Sequence, residues 1–315
     1  MTALAQQVLA GDRRALAKSI TLLESTLPAD RARADALLTQ LLPHAGRAIR
    51  LGISGVPGVG KSTFIETLGL MLIARGHRVA VLAIDPSSSL SGGSILGDKT
   101  RMDRLSTNEA AYIRPSPSSG TLGGVAEKTR EAMLVCEAAG YDVVLVETVG
   151  VGQSEITVAG MTDLFVLLQL PNAGDDLQAI KRGIMELADL VVINKMDLDP
   201  AAAARAAAQI ASSLSRPLPV LRVSALQAEG FEALWEAVAA LRESRQHSGE
   251  FATRRRQQSL AWMWDIVHAR LMADFHEHPG VKAALPAMLQ EVAEGRIAAS
   301  SAARELLNRF EGNRR

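Results

Sequence analysis

The sequence has a single cysteine, few aromatic residues and no excess of charge of either sign. One cysteine, Cys136, excludes an internal disulfide framework and a thiolate zinc site. Aromatic residues make up 3% of the chain, and 34 basic residues balance 34 acidic ones. Nucleic-acid-binding proteins carry a basic excess and aromatic platforms that stack on bases. We therefore expect no nucleic-acid partner.

Long apolar runs are also missing. The longest, Val143–Val146 and Leu164–Leu170, have the length of strands and fall well short of the roughly 20 residues that span a bilayer. The amino terminus lacks a basic segment followed by an apolar one, so no secretory signal is predicted. We expect a cytoplasmic protein with no membrane association.

The order of the apolar runs divides the 315 residues into three zones. Residues 1–46 are predicted to form an N-terminal helical extension, because apolar residues recur there at helical spacing. Residues 47–243 alternate strand-length apolar runs with helical stretches, which predicts an α/β domain whose mostly parallel sheet is covered by helices on both faces. Residues 244–315 are predicted to be a C-terminal helical arm, with a polar linker, Glu243–Thr253, at its start.

Individual elements follow from the same patterns. The predicted strands are Ala48–Ile53, Val79–Ile84, Ala111–Arg114, Val143–Val146, Leu164–Leu170, Leu190–Ile193 and Val220–Val223. The predicted helices are Arg13–Glu24, Asp30–Leu42, Ser62–Ala74, Ala126–Ala139, Leu177–Leu187, Ala201–Leu214, Phe231–Leu241, Arg254–Phe275, Val281–Ala293 and Ser300–Phe310.

A glycine-rich segment between the first predicted strand and its helix matches the phosphate-binding loop G-x-x-x-x-G-K-[ST]. Glycines allow a tight loop whose backbone N–H groups point at phosphate oxygens. We expect Lys61 to bind the β- and γ-phosphates and the hydroxyl of Ser62 to bind Mg²⁺. The predicted nucleotide-binding residues of this loop are Gly55, Val56, Pro57, Gly58, Val59, Gly60, Lys61, Ser62 and Thr63.

Three carboxylates are candidates for direct or water-mediated magnesium contacts. Asp85 and Glu147 each end a predicted strand, at the edge where ligands bind in parallel sheets, and Asp98 lies in a Gly/Ser-rich loop. Carboxylates at strand ends also cap turns, so each has a purely structural alternative. A phosphate-loop protein nevertheless needs at least one such carboxylate.

A second motif follows the strand Leu190–Ile193. Asn194, Lys195 and Asp197 form N-K-x-D, the guanine-recognition motif of GTPases. An aspartate accepts hydrogen bonds from N1–H and the exocyclic amine of guanine, whereas adenine offers neither donor there, so the pocket favours GTP over ATP. Ser224, Ala225 and Leu226 follow the last strand, where GTPases supply a backbone N–H to guanine O6.

The segment Glu147–Glu155 lies where GTPases have D-x-x-G. Glu147 takes the acidic position, and Gly150 is predicted to donate its N–H to the γ-phosphate. Val151 stands where Ras-like enzymes have a water-orienting glutamine, so slow intrinsic hydrolysis and dependence on a partner are expected. Gln153 is a candidate substitute for that glutamine.

Taken together, these segments resemble the MeaB/ArgK family, GTPase chaperones of adenosylcobalamin-dependent methylmalonyl-CoA mutase. The stretches that carry the resemblance are Ser19–Ser25, Gly55–Thr63, Asp85–Ser89, Gly97–Met102, Glu147–Glu155, Pro171–Asp176, Lys181–Glu186 and Asn194–Asp197. The resemblance implies a GTPase domain between an N-terminal extension and a C-terminal dimerisation arm. It also implies hydrolysis of Mg-GTP to GDP, stimulated by the mutase, and gating of cobalamin delivery.

By the same resemblance, Asp85, Asp98 and Glu147 surround the magnesium ion. Ser91–Met102 is expected to be switch I and Val149–Gly160 switch II. Asn172–Glu186 is expected to be a further switch that senses the mutase, with Asp175, Asp176 and Lys181 beside the nucleotide. The chain has no D-x-H-x-x-G loop, so cobalamin is expected to be held by the mutase and not by this chain.

The C-terminal helices carry Trp262, Trp264, Phe275 and Phe310, which a small helical appendage cannot bury by itself. Packing within the chain and packing on a partner are both open from the residues alone, and the resemblance favours a homodimer. Arg254–Arg256 is predicted to be a solvated helix start, and Cys136 a small core residue.

Other functions remain as alternatives. A nickel-insertion GTPase would need Cys/His clusters that the sequence lacks, and a kinase of an amino-acid (lysine/arginine/ornithine) transport system would use ATP. A binding module with GTP as a structural ligand would show no hydrolysis. Methylmalonyl-CoA mutase and related acyl-CoA mutases are all open as the partner.

Overall fold

A computed structural model describes residues 1–84, 102–116, 122–148, 154–171, 182–214 and 216–312. Within them, seven strands form one sheet, in which every neighbouring pair is parallel. The strands are β1 (Ile49–Gly55), β2 (Val79–Ile84), β3 (Ala111–Ser116), β4 (Val143–Thr148), β5 (Leu164–Gln169), β6 (Leu190–Ile193) and β7 (Val220–Arg222). Their order across the sheet is β3-β2-β4-β1-β5-β6-β7, so the predicted α/β class with a parallel sheet is confirmed.

Helices connect and flank these strands. They are α1 (Ala3–Leu9), α2 (Arg13–Glu24), α3 (Pro28–Leu41), α4 (Lys61–Ala74), α5 (Asp103–Ser106), α6 (Leu122–Ala138), α7 (Ser154–Ala159), α8 (Arg182–Leu187), α9 (Pro200–Ser213), α10 (Phe231–His247), α11 (Glu250–Glu277), α12 (Pro279–Ala293) and α13 (Ala299–Glu311). A short 3₁₀ turn, Leu42–His44, follows α3.

Two apolar cores lie on opposite faces of the sheet. One contains Phe64 and Leu68 of α4 together with Phe231 of α10, and the rings of Phe64 and Phe231 are 5.2 Å apart. The other joins α6 and α9 to the N-terminal helices, with Leu16 and Ile20 of α2 almost fully buried. Because strands β2 and β6 are covered on both faces, they are apolar along their whole length, and β4 and β5 are apolar over their first four residues or more. Cys136 of α6 lies in this second core with no exposed surface, as predicted, and its burial raises the pKa of the thiol.

The chain divides into two compact units, Met1–Gln258 and Ser259–Arg315. In the second unit, the rings of Phe275 and Phe310 meet edge to face with centroids 5.4 Å apart, and Val281 is fully buried. The division of the sequence into 1–46, 47–243 and 244–315 as functional domains stays a prediction. None of the helices in the described ranges is long and apolar enough to cross a membrane.

Helix α11 is longer at its start than predicted. The prediction of a polar linker over Glu243–Thr253 is wrong, since α10 continues to His247 and α11 begins at Glu250, which leaves only Ser248 and Gly249 between them. Polar residues on an exposed helix surface give the same local composition as a linker, so composition alone does not separate the two.

The description of Arg254–Arg256 as a solvated helix start is also wrong for two of its three residues. Arg255 donates from Nε and Nη2 to both carboxylate oxygens of Asp163 at 2.7 Å, and its guanidinium also reaches the carbonyls of Gly46 and Ala48 at 2.6 Å. Arg254 donates to the carbonyl oxygen of Ala159 at 3.3 Å. Of the three arginines, Arg256 alone is exposed.

A second carboxylate completes this group at the amino end of the strands. Asp189, directly before β6, accepts from Arg245 Nη2 at 2.5 Å and from the backbone N–H of Phe165 at 2.8 Å. Asp163, directly before β5, and Asp189 are each only 3% exposed. We call Asp163, Asp189, Arg245, Arg254 and Arg255 the amino-edge cluster.

Candidate functional site

The glycine-rich segment forms a tight loop between β1 and α4, at the carboxyl end of the sheet. Gly60, the residue before α4, has φ of +94°, and a Cβ atom there would lie 2.8 Å from Nδ2 of Asn194. Only glycine fits this position without displacing its neighbour. Val56, Pro57, Gly58 and Thr63 are exposed, while Val59 is fully buried beneath them.

Lys61 begins α4 and is largely buried. Its Nζ donates to the carbonyl oxygen of Gly55 at 2.8 Å and to that of Val56 at 3.3 Å. Burial lowers the pKa of this amine, and the negative charges of Glu147 and Glu155 oppose that shift. A cation held by neutral carbonyls in a partly dehydrated site is arranged to interact strongly with an anion such as phosphate.

Glu147 lies at the carboxyl end of β4, between Ile53 of β1 and Ala83 of β2. Its Oε1 accepts a hydrogen bond from the hydroxyl of Ser62 at 3.3 Å. A hydroxyl and a carboxylate beside a phosphate-binding loop are hard oxygen ligands, the kind that Mg²⁺ prefers. Two of the four predicted magnesium ligands therefore lie side by side, while Asp85 and Asp98 lie outside the described residues.

The guanine motif is bonded directly to the phosphate-binding loop. Asn194 follows β6 and is 1% exposed; its Nδ2 donates to the carbonyl oxygen of Val59 at 2.8 Å. Lys195 has φ of +61°, and its Nζ donates to the carbonyl oxygen of Gly58 at 2.8 Å. The two halves of the predicted nucleotide site, more than a hundred residues apart in sequence, are thus one connected structure.

Asp197 carries the oxygen expected to read guanine. Its Oδ1 is buried and has no hydrogen-bond partner in the described part of the chain. An unpaired buried carboxylate oxygen is costly, and two N–H donors on the edge of a guanine base are the groups that would satisfy it. The residue therefore fits the predicted role.

The loop after β7 lies against the same motif. The backbone N–H of Ala225 donates to Oδ1 of Asn194 at 3.1 Å, and Ser224 is buried while Leu226 is 80% exposed. Ser224 and Glu229 exchange two backbone hydrogen bonds of 3.1 Å, which close the loop. Ser224, Ala225 and Leu226 are therefore placed beside the guanine motif, as the predicted role requires.

Several predicted site residues lie outside the described ranges. They are Gly150, Val151 and Gln153 of the second predicted switch and Asp175, Asp176 and Lys181 of the third. The predicted helix Leu177–Leu187 is described only over α8, Arg182–Leu187. Met102 is the one described residue of the first predicted switch and is fully buried.

Sequence reasoning assigned no individual role to three buried polar side chains near this edge, two of which lie within the second predicted switch. Ser154, Glu155 and Gln169 are each at most 4% exposed, and each has a side-chain oxygen without a hydrogen-bond partner among the described residues. The signal for Gln169 was available, because a glutamine interrupts the otherwise apolar run of β5. Glu155 was harder to find, because nothing in the local sequence indicates that its negative charge acts on Lys61.

Comparison with known proteins agrees with this geometry. Residues 16–280 match a family model described as methylmalonyl Co-A mutase-associated GTPase MeaB. The chain belongs to the MeaB family. It is 50% identical to GTPase ArgK of Escherichia coli, over 80% of this chain and 79% of that protein. It is 47% identical to the mitochondrial methylmalonic aciduria type A homolog of Mus musculus, over 95% of this chain and 77% of that protein.

Solved structures give the same result. A crystal structure of a LAO/AO transport system kinase matches 98% of this chain and 96% of its own, with 35% identity and a TM-score of 0.78. As a member of the MeaB family, the protein is a P-loop GTPase, and the predicted fold and enzyme class are confirmed.

Proposed function

We propose that this MeaB-family GTPase acts as a GTP-hydrolysing chaperone of a B12-dependent acyl-CoA mutase, gating the loading of adenosylcobalamin and protecting or reactivating the mutase. The observation that supports it most is the connection from Asn194 and Lys195 to the phosphate-binding loop. This connection lies within a chain matched over residues 16–280 by a family described as mutase-associated. A guanine-specific site that reports its phosphate state suits a protein that controls another enzyme.

In this proposal the chain's own residues hold and orient the nucleotide. Lys61 exchanges its carbonyl contacts for β- and γ-phosphate oxygens, and Asp197 accepts from the guanine edge. Ser62, Asp85, Asp98 and Glu147 would hold Mg²⁺, which neutralises charge on the phosphates when bound. Gly150 would donate its N–H to the γ-phosphate, and Gln153 is the candidate for orienting the attacking water.

Hydrolysis by the isolated chain should be slow, because Val151 cannot orient water. The test is GTP turnover measured alone and with a purified cobalamin-dependent mutase. We expect the mutase to increase the turnover several-fold, and Lys181→Ala to reduce this stimulation while leaving GTP binding intact. Equal turnover with and without any acyl-CoA mutase would contradict the proposal.

A homodimer through the C-terminal helices forms part of the proposal. Helix α11 exposes a series of large apolar side chains, which a protein normally covers. They are Leu260, Met263, Trp264, Ile266, Val267, Leu271 and Met272. We expect a dimer by light scattering and a monomer for Trp264→Glu; Leu27→Glu, at an exposed leucine before α3, is the control. A monomeric parent protein would refute this assignment.

The name of the protein in the matched crystal structure, a transport system kinase, suggests a second candidate, a kinase serving amino-acid transport. Such an activity transfers the γ-phosphate to a protein acceptor, whereas a GTPase releases it as inorganic phosphate. Radiolabelled GTP and ATP distinguish the two. We expect the γ-phosphate to come from GTP and not from ATP, because Asp197 selects guanine. We expect it to appear as free phosphate, with no labelled protein.

A further inference from the structure

We infer that Thr67, on the helix that follows the phosphate-binding loop, is a positioning residue for guanine recognition, acting on the peptide that joins Ala225 to Leu226. The inference rests on the proposed guanine site and extends it to a residue outside the predicted nucleotide-binding set. Its basis is one hydrogen bond: Oγ1 of Thr67 donates to the carbonyl oxygen of Ala225 at 2.7 Å.

This bond is unusual for a helical threonine. Within a helix, a threonine hydroxyl ordinarily donates to the carbonyl three or four residues earlier, as Thr39 does to Asp35 at 2.8 Å. Thr67 instead reaches an acceptor 158 residues along the chain. The bond therefore links α4 to the loop after β7 and does not serve the helix itself.

Because the peptide is planar, the hydrogen bond to the carbonyl of Ala225 also fixes the direction of the N–H of Leu226. The described residues contain no cis peptide bonds, so in the Ala225–Leu226 peptide the C=O and the N–H point in opposite directions. Fixing the carbonyl of Ala225 toward α4 therefore aims the N–H of Leu226 away from α4. The N–H of Ala225 is already donated to Asn194, and the N–H of Leu226 has no backbone acceptor in the described ranges. The geometry thus assigns the amide of Leu226 as the donor to guanine O6.

The side chain of Ala225 is buried in the core, but the Leu226 side of this peptide is not held by packing. A cavity of about 330 Å³ lies between α4 and the loop, with Thr67, Leu70, Leu226, Ala228 and Phe231 among its lining residues. Leu226 is exposed, and Ala228 has φ of +56°, a conformation that alanine rarely adopts. With open space on this side, the loop has room to rotate the peptide, and the hydroxyl of Thr67 opposes that rotation.

The test uses nucleotides with altered groups on the base. Equilibrium affinities are measured for GDP, for inosine diphosphate, which keeps O6 but lacks the exocyclic amine, and for the 2-aminopurine riboside diphosphate, which lacks O6 and, with it, the hydrogen on N1. Thr67→Val removes the hydroxyl while keeping the shape, and Thr67→Ser keeps the hydroxyl. Thr39→Val is the control for the same substitution on another helix.

We expect Thr67→Val to weaken GDP and inosine diphosphate about tenfold, to leave the 2-aminopurine nucleotide unchanged, and to be rescued by Thr67→Ser. Thr39→Val should change none of the three affinities. An equal loss for all three nucleotides, or no loss for any, would overturn the inference. If the parent protein itself does not prefer GDP to the 2-aminopurine nucleotide, the proposed O6 site fails, and the role of Thr67 fails with it.

Discussion

Buried charged side chains have different partners at the two ends of the parallel sheet. At the carboxyl end, Oδ1 of Asp197 and Oε2 of Glu155 are buried without partners among the described residues, and Lys61 donates only to neutral carbonyls. At the amino end, the amino-edge cluster pairs Asp163 with Arg255 through two bonds of 2.7 Å. Buried carboxylate oxygens without partners at one edge, and buried carboxylates paired with arginines at the other, distinguish a binding surface from a structural one.

Among the substitutions that test this difference, Lys61→Ala should have the largest effect. We expect GTP turnover to fall about 10³-fold, because the site loses its main phosphate contact. The thermal stability of the nucleotide-free protein should stay near that of the parent, since the buried amine contributes little without an anion. Turnover within tenfold of the parent would show that Lys61 is not a phosphate ligand.

At the opposite edge, Arg255→Met should act on stability and not on binding. It leaves the buried carboxylate of Asp163 without its main partner, and we expect the free energy of unfolding in urea to fall by about 3 kcal/mol. Arg256→Met, at the exposed neighbour, should change it by less than about 0.5 kcal/mol. GDP affinity of the folded Arg255→Met protein should equal that of the parent, and a loss of affinity would contradict the separation of the two edges.

Asp197→Asn tests the unpaired oxygen. Losing a charged hydrogen-bond acceptor should weaken GDP about 10²-fold. Xanthine carries a carbonyl where guanine has its exocyclic amine, so the new amide should bind xanthosine diphosphate more tightly than the parent does. Fluorescence competition with the two nucleotides measures both effects, and unchanged selectivity would refute the role of Asp197.

Glu131 of α6 is a buried carboxyl group that belongs to neither edge of the sheet, so it serves as a third case beside the carboxylates of the two edges. Burial raises the pKa of its carboxyl to about 7, and the nearby ammonium of Lys128 offsets this only in part. Because the folded protein prefers the protonated form, stability should fall as the pH rises from the ordinary carboxyl pKa toward 7. The free energy of unfolding of Glu131→Gln, measured relative to that of the parent, should therefore rise by about 2 kcal/mol between pH 5 and pH 8. Urea unfolding across that range, with Glu127→Gln on the same helix as the control, checks the sign; parallel curves for parent and Glu131→Gln would contradict it.

Local pattern predicted the sheet well where burial is complete. Val79–Ile84 and Leu190–Ile193 have the predicted bounds, because strands covered on both faces are apolar throughout and end where polarity begins. The phosphate and guanine motifs were found because their chemistry requires fixed residue types at fixed spacing. Both kinds of signal are contained in a few adjacent residues.

Contacts between distant segments were the part that local pattern could not supply. Arg255 resembles any helix-surface arginine until Asp163, 92 residues away, is placed beside it. Thr67 has no motif of its own, since its acceptor is a backbone carbonyl. A recognisable hint did exist at the amino end: Asp163 and Asp189 each come directly before a buried strand, where an isolated carboxylate needs a cationic partner.

The bonds from Asn194 to Val59 and from Lys195 to Gly58 join the base-reading and phosphate-binding segments through groups of the protein itself. The conformational entropy of arranging these segments is therefore lost when the chain folds, and binding of a ligand does not have to arrange them again. Arrival of the nucleotide should require no slow ordering of these loops. The lifetime of the bound nucleotide is then set by how quickly the contacts between the nucleotide and the protein break.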